Sequence, residues 1–153
     1  MNSQIIVIIL RIKCNKVENR PCGNSSCPVP GFIIAGGWRE KYLYSTEEFN
    51  SKTGQSCPTG EIRKSRGIQS TFCNNFLCGG KPSYKSCEKF DGISAFEELP
   101  VILGERRNKH LCWGLPSGEV LLLGGEESPT STELVSADGT SSSPSFTLPY
   151  DTW

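Results

Sequence analysis

Apolar and polar positions follow one another in a recurring order along this chain. Phe32-Ile33-Ile34-Ala35 leads into Gly36-Gly37, Phe76-Leu77-Cys78 into Gly79-Gly80, and Val120-Leu121-Leu122-Leu123 into Gly124-Gly125. Short continuous apolar runs bounded by glycine predict strands and not helices. A second strand is predicted at matching offsets: Ser45-Thr46-Glu47-Glu48-Phe49-Asn50, Ser86-Cys87-Glu88-Lys89-Phe90-Asp91 and Ser131-Thr132-Glu133-Leu134-Val135-Ser136. Each is followed by a glycine-bearing turn, at Lys52-Thr53-Gly54, Asp91-Gly92 and Asp138-Gly139, as expected where an antiparallel strand reverses. Prolines at Pro58, Pro100 and Pro149 then mark polar connections. Helical periodicity is weak throughout, so the expected fold class is all-β.

The first glycines of the three pairs stand 43 and then 45 residues apart (79 minus 36, 124 minus 79). That is close to the roughly 40 to 50 residue period of β-propeller blades. Any single Gly-Gly could equally be a hairpin turn, whereas three in register favour one blade per repeat. A blade is covered on both faces by its neighbours, so its inner strand must be apolar nearly throughout, as Phe32 to Ala35 and Val120 to Leu123 are. Glycine at the strand end lets the backbone pass close to a neighbour.

On these residues the chain resembles the kelch-repeat family, over about Pro30 to Asp151. It differs from the family pattern in three places. Phe49, Phe90 and Val135 stand where tyrosine is usual, Cys57 and Phe96 stand near the tryptophan position, and the third repeat stops before its second half. Gly54-Gln55-Ser56-Cys57, Cys78-Gly79-Gly80 and Thr132-Glu133-Leu134-Val135 are similar to phrases of cysteine-bearing, secreted kelch-like proteins of invertebrates. The resemblance implies kelch-type propeller blades at about 31–70, 71–110 and 111–153, after an apolar, cysteine-bearing segment at 1–30. Gly36, Gly37, Gly79, Gly80, Gly124 and Gly125 would be structural. Glu47, Glu88 and Glu133, recurring once per repeat, would serve the scaffold by bonding neighbouring turns. Three blades cannot close a ring that typically needs four to eight. The expected object is therefore an incomplete propeller, part of a larger molecule or prone to self-association through an exposed blade face.

Charge and chemistry narrow the function. Sixteen basic residues balance sixteen acidic ones, leaving no electrostatic footprint for nucleic acid. The basic runs Arg63-Lys64-Ser65-Arg66 and Arg106-Arg107-Asn108-Lys109 read as solvated loops, because stacking aromatics do not interleave them. The serine- and threonine-rich stretch 130–145 reads as a surface strand followed by a long loop. Gln4 to Leu10 is apolar over seven residues, too short to span a bilayer. It reads either as the core of a secretion signal or as a strand given to a neighbouring blade.

An even count of eight cysteines fits disulfides and an oxidising compartment. Cys78 and Cys87, at the end of one blade strand and the start of the next, are the expected pair. Cys14, Cys22 and Cys27 offer a second, and Cys57, Cys73 and Cys112 are left for partners in a missing C-terminal part. Zinc is the weaker use of these thiols: Cys73 and Cys78 are placed on opposite faces of one strand, and His110 is the single histidine. His110 is also the single candidate base for a nucleophilic triad, in a setting that reads as structural. No cofactor is expected.

The expected function is a non-catalytic protein-binding or scaffold module in the extracellular space. The alternatives are a cytoplasmic module and a scaffold fragment of a larger propeller enzyme whose active site lies elsewhere. The loops that directly follow each Gly-Gly are the expected contact regions. Trp38, Tyr42, Tyr44 and Tyr84 are the aromatics suited to anchor a protein partner, or a glycan, with packing between blades as the ordinary alternative.

Overall fold

The computed structural model describes residues 31–50, 54–58, 60–67, 70–91, 95–144 and 146–150. Among them the chain is all-β, without a helix, and its strands form antiparallel sheets, none of which closes on itself. Among the described residues no helix is long and apolar enough to cross a membrane.

The first sheet begins with β1 (Gly31–Ala35), which ends at Gly36-Gly37. A small hairpin follows, β2 (Trp38–Arg39) against β3 (Lys41–Tyr42). β4 (Thr46–Asn50) then pairs with β1, and β5 (Gln55–Pro58) pairs with β4, giving three strands in the order β1-β4-β5. The second sheet has four strands adjacent in chain order: β6 (Thr71–Cys73), β7 (Phe76–Cys78), β8 (Ser86–Phe90) and β9 (Phe96–Ile102). The third repeats that plan with β10 (Leu111–Gly114), β11 (Val120–Leu123), β12 (Thr132–Val135) and β13 (Ser141–Ser142).

Register shows that the sheets correspond residue by residue. Ile34 faces Glu47, Leu77 faces Glu88, and Leu122 faces Glu133, each two residues before the first glycine of a pair. The strands expected before and after each Gly-Gly are therefore all present. The third repeat goes further than its sequence implied: β13 pairs with β12 and completes a fourth strand beyond the Asp138-Gly139 turn. β12 is also an inner strand and not a surface one, with Thr132, Glu133 and Val135 buried. Part of its cover comes from the chain beyond it, since Leu148 N–H donates to Thr130 O (2.8 Å) and Thr132 Oγ1 to Phe146 O (2.7 Å).

Directly opposed residues share a face, so each sheet has two defined sides. One side of the second sheet carries Phe72, Leu77, Phe90 and Phe96, which cluster with Ile33, Ala35 and Ile62 from the first repeat. Its other side carries Phe76, Cys78 and Cys87, which cluster with Val120, Leu122 and Val135 from the third. The second sheet is thus covered on both faces. β7 is accordingly buried along its whole length, whereas β11 alternates between buried and half-buried residues. An apolar run throughout the strand is matched by burial throughout only where both neighbours are present.

Among the described residues, two cysteine pairs stand at disulfide distance. Cys78 and Cys87 are directly opposed on β7 and β8, with Cα atoms 4.2 Å apart, as the sequence predicts. Cys73 and Cys112, left without nearby partners by the sequence, pair with each other across β6 and β10, with Cα atoms 6.3 Å apart. The placement of Cys73 and Cys78 along one strand is also corrected. Asn74 and Asn75 take positive φ (46° and 66°) and turn the chain, so the two cysteines lie on different strands of a hairpin. Cys14, Cys22 and Cys27 lie outside the described residues.

Candidate functional site

The connections between sheets hold the main surprise. Arg66, expected in a solvated loop, is fully buried between the first and second sheets. Its Nε and Nη2 donate to Glu88 Oε1 (3.2 and 3.1 Å), Nη2 also donates to Ser86 Oγ (2.9 Å), and Nη1 donates to the carbonyls of Ser86 (3.1 Å) and Gly79. Glu88 also accepts from the backbone N–H groups of Arg63 and Lys64. Arg107 is buried in the same way one repeat later. Its Nε donates to Glu133 Oε2 (3.2 Å) and its Nη1 to Gly124 O (2.8 Å), while Gly104 N–H donates to Glu133 Oε1 (2.8 Å).

Each arginine also reaches backwards through its own carbonyl, which accepts from Gly37 N–H (2.7 Å, Arg66) or Gly80 N–H (2.8 Å, Arg107). One residue therefore ties the Gly-Gly of one sheet to the Gly-Gly and glutamate of the next. The glycines are required by this contact. Gly36 and Gly79 have φ of +69° and +62°, and a Cβ at either would be driven into the carbonyl oxygen of Arg66 or Arg107. Burial pulls the Arg66 guanidinium below its usual range, and the charge and hydrogen bonding of Glu88 oppose that pull. Basic-run residues beside them do remain at the surface: Lys109 is exposed and pairs with Glu126 (3.1 Å). The error in the sequence reading lies at Arg66 and Arg107, and at the half-buried connections around them.

Glu47, the register equivalent of Glu88 and Glu133, is exposed. His110 lies just ahead of β10, buried, and shares a 2.6 Å hydrogen bond between its Nε2 and Thr71 Oγ1. It fits beneath two glycine pairs: a Cβ on Gly79 would come within 2.8 Å of its Cε1, and one on Gly125 within 3.3 Å of its Cβ. Burial, with the nearby charges of Arg107 and Arg66, lowers its pKa from 6.5 to about 3, so the imidazole is neutral at pH 7.

These connections carry a groove of about 670 Å³ beside the second sheet, lined by Lys64, Tyr84, Lys85, Glu98, Pro100 and Arg106 among others. The Arg106 guanidinium lies over the Tyr84 ring, 4.0 Å from its centroid, and its Nε pairs with Glu127 Oε2 at 2.9 Å. Lys64 pairs with Glu98 at the groove wall. Lys85 Nζ donates to Gly104 O (2.8 Å), and Arg107 N–H donates to Tyr84 O (3.0 Å). Further on, Asn108 Nδ2 donates to Glu126 Oε2 (2.7 Å) and Ser128 Oγ to Glu105 (3.1 Å). Hydrogen bonds from Lys109 and Asn108 hold the Glu126 carboxyl below its usual range.

Of the four predicted contact aromatics, Tyr84 is thus in the groove. The Gly-Gly loops 81–85 and 126–130 meet through Arg106. Tyr42 does not line the groove; its ring packs against Gly67, where a Cβ would fall 2.5 Å from its Cε1. Tyr44 is exposed but away from the groove lining, and Trp38 stands on β2, its side chain outside the description. Arg106 was missed as a groove residue, having been read only as part of a loop. The buried arginines carry no matching spacing in the sequence, since Arg66 and Arg107 precede the next Gly-Gly by 13 and 17 residues (79 minus 66, 124 minus 107).

No family model matches this chain, and no curated protein matches it.

Proposed function

We propose that the three sheets are successive blades of a divergent kelch-type β-propeller, and that the chain is a non-catalytic scaffold that binds a protein partner outside the cell. The repeated arginine clamp carries this reading. It holds each connection rigidly enough to place the loops after two Gly-Gly pairs beside one groove, with Tyr84 as an aromatic anchor. The buried ionisable groups Glu88, Glu133 and His110 are engaged in holding repeats together, which is a scaffold role. Two cysteine pairs at disulfide distance are compatible with an extracellular setting.

Lys64 and Arg106 are paired with Glu98 and Glu127, while the ammonium of Lys85 meets a backbone carbonyl and no carboxylate, which favours a protein segment bearing a carboxylate. Selection from a displayed random peptide library tests this. Acidic peptides should be enriched on the wild type and lose at least tenfold in affinity on Tyr84→Ala, with circular dichroism unchanged. Equal retention by Tyr84→Ala would remove the groove from the function. Glycan-array binding with the same dependence on Tyr84 would reassign the partner class.

A further inference from the structure

We propose that Cys73–Cys112 is a thiol-exchange site, opened by a small thiol of the glutathione class while the chain stays folded, and that it acts as a strap between the second and third sheets. Burial separates the two cysteine pairs. Cys78 and Cys87 are 1% and 0% exposed, inside the cluster between these sheets, and their strands β7 and β8 each have a neighbour on either side. Cys73 and Cys112 are half-buried at the margin of the same cluster. They lie on β6 and β10, which end their sheets among the described residues. Exchange requires a thiolate to reach a disulfide sulfur, so access decides which pair reacts.

The seam between β6 and β10 is held by hydrogen bonds at its two ends. At one end Thr71 Oγ1 and His110 Nε2 share a bond of 2.6 Å, and at the other Asn74 Nδ2 donates to the carbonyls of Leu115 (2.9 Å) and Glu119 (3.0 Å). Cys73–Cys112 stands between them as the covalent tie. β11 is the sheet neighbour of β10 among the described residues, so opening the bridge leaves the other edge of β10 to those hydrogen bonds. Charge sets the order of the steps. Lys89 Nζ stands 5.4 Å from the centre of the Phe76 ring, and Phe76 is directly opposed to Cys73. A positive charge on this side of the second sheet favours Cys73 as the leaving thiolate. The incoming thiolate bonds to Cys112 Sγ as the Cys73–Cys112 bond breaks, and the electron pair leaves with Cys73 Sγ. A second thiol then attacks the sulfur of the first and frees Cys112. Two small thiols are thereby oxidised to one disulfide, and their two protons pass to Cys73 and Cys112.

This site rests neither on the blade reading above nor on the groove at Tyr84. The test treats the oxidised 153-residue chain with reduced glutathione in the absence of denaturant, quenches it at intervals, and follows each cysteine by differential alkylation and peptide mass. Cys73 and Cys112 should be labelled at least about tenfold faster than Cys78 and Cys87, with glutathione found first on Cys112. In the chain stopped at that stage, amide exchange should rise in β10 and stay unchanged in β7. Equal labelling of the two pairs, or labelling in step with loss of circular dichroism, would show that thiols gain access only by unfolding and overturns the site. Free thiols at Cys73 and Cys112 before any reduction, or bonds from them to other cysteines, also overturn it. Glutathione found first on Cys73 overturns the order of the steps. Unchanged exchange in β10 after selective reduction overturns the strap.

Discussion

A buried guanidinium is stable only when its donors find acceptors, and Arg66 and Arg107 meet that condition with a carboxylate and neighbouring carbonyls. Removing one partner strands the other in a dry environment. Arg107→Met should therefore cost about 3 to 5 kcal/mol of unfolding free energy. The double variant Arg107→Met/Glu133→Gln should recover more than about 1 kcal/mol of that loss, because no charge is then left buried alone. Urea unfolding of the three proteins checks both values. His110 makes a second prediction at this scale. Its pKa is near 3 in the folded chain and 6.5 in the reference state, so between those values the unfolded chain binds more protons. Stability should be complete above pH 6.5 and decline as pH falls toward 3, at a limiting slope of about 1.4 kcal/mol per pH unit. Carboxylates titrate lower, so the fall between pH 6.5 and 5 belongs to His110, and His110→Gln should flatten it in urea titrations across that range.

Between elements, the two cysteine pairs do different work. Cys78 and Cys87 join adjacent strands of one sheet across a separation of nine residues, a place where the strand ladder already holds the chain. Cys73 and Cys112 join β6 to β10 across 39 residues, from the second sheet to the third. Chain entropy gives about 3 kcal/mol for the shorter loop and about 4 kcal/mol for the longer. Cys73→Ala/Cys112→Ala should therefore lower stability more than Cys78→Ala/Cys87→Ala, as read by urea unfolding under non-reducing conditions. The element pattern itself was legible early. Continuous apolar runs ending in Gly-Gly became β1, β7 and β11, and the Ser-x-Glu phrases became β4, β8 and β12. What could not be read was the path between them. The basic runs have the composition of surface loops, and burial came from acceptors far along the chain that no local pattern reveals. The same holds for Cys73, whose partner lies on another sheet.

For the molecule as a whole, protection should follow how many faces of each sheet are covered. Among the described residues, the second sheet has buried clusters on both faces, shared with the first sheet on one side and with the third on the other. Amide hydrogen exchange should find β7 and β8 opening only with global unfolding, and β11, which is half-buried at alternate residues, exchanging faster. Equal protection in β7 and β11 would contradict a second sheet held more tightly than the third. The groove belongs to this scale as well. Tyr84 was readable as a contact aromatic from its place after Gly-Gly, but its company of Lys64 and Arg106 comes from two other connections and Glu98 from β9, brought together by stacking.

By itself the sequence determined the class of structure, the recurring pair of strands around each Gly-Gly and the Cys78–Cys87 pairing. All of these depend on side-chain period and on residues close in the chain. Tertiary structure alone decided which charges are buried, which cysteines meet between sheets, where the groove lies and which apolar faces are packed together. Those depend on what a neighbouring sheet presents. A polar run such as Arg63-Lys64-Ser65-Arg66 has no local feature that tells a solvated arginine from one clamped to a glutamate 22 residues away.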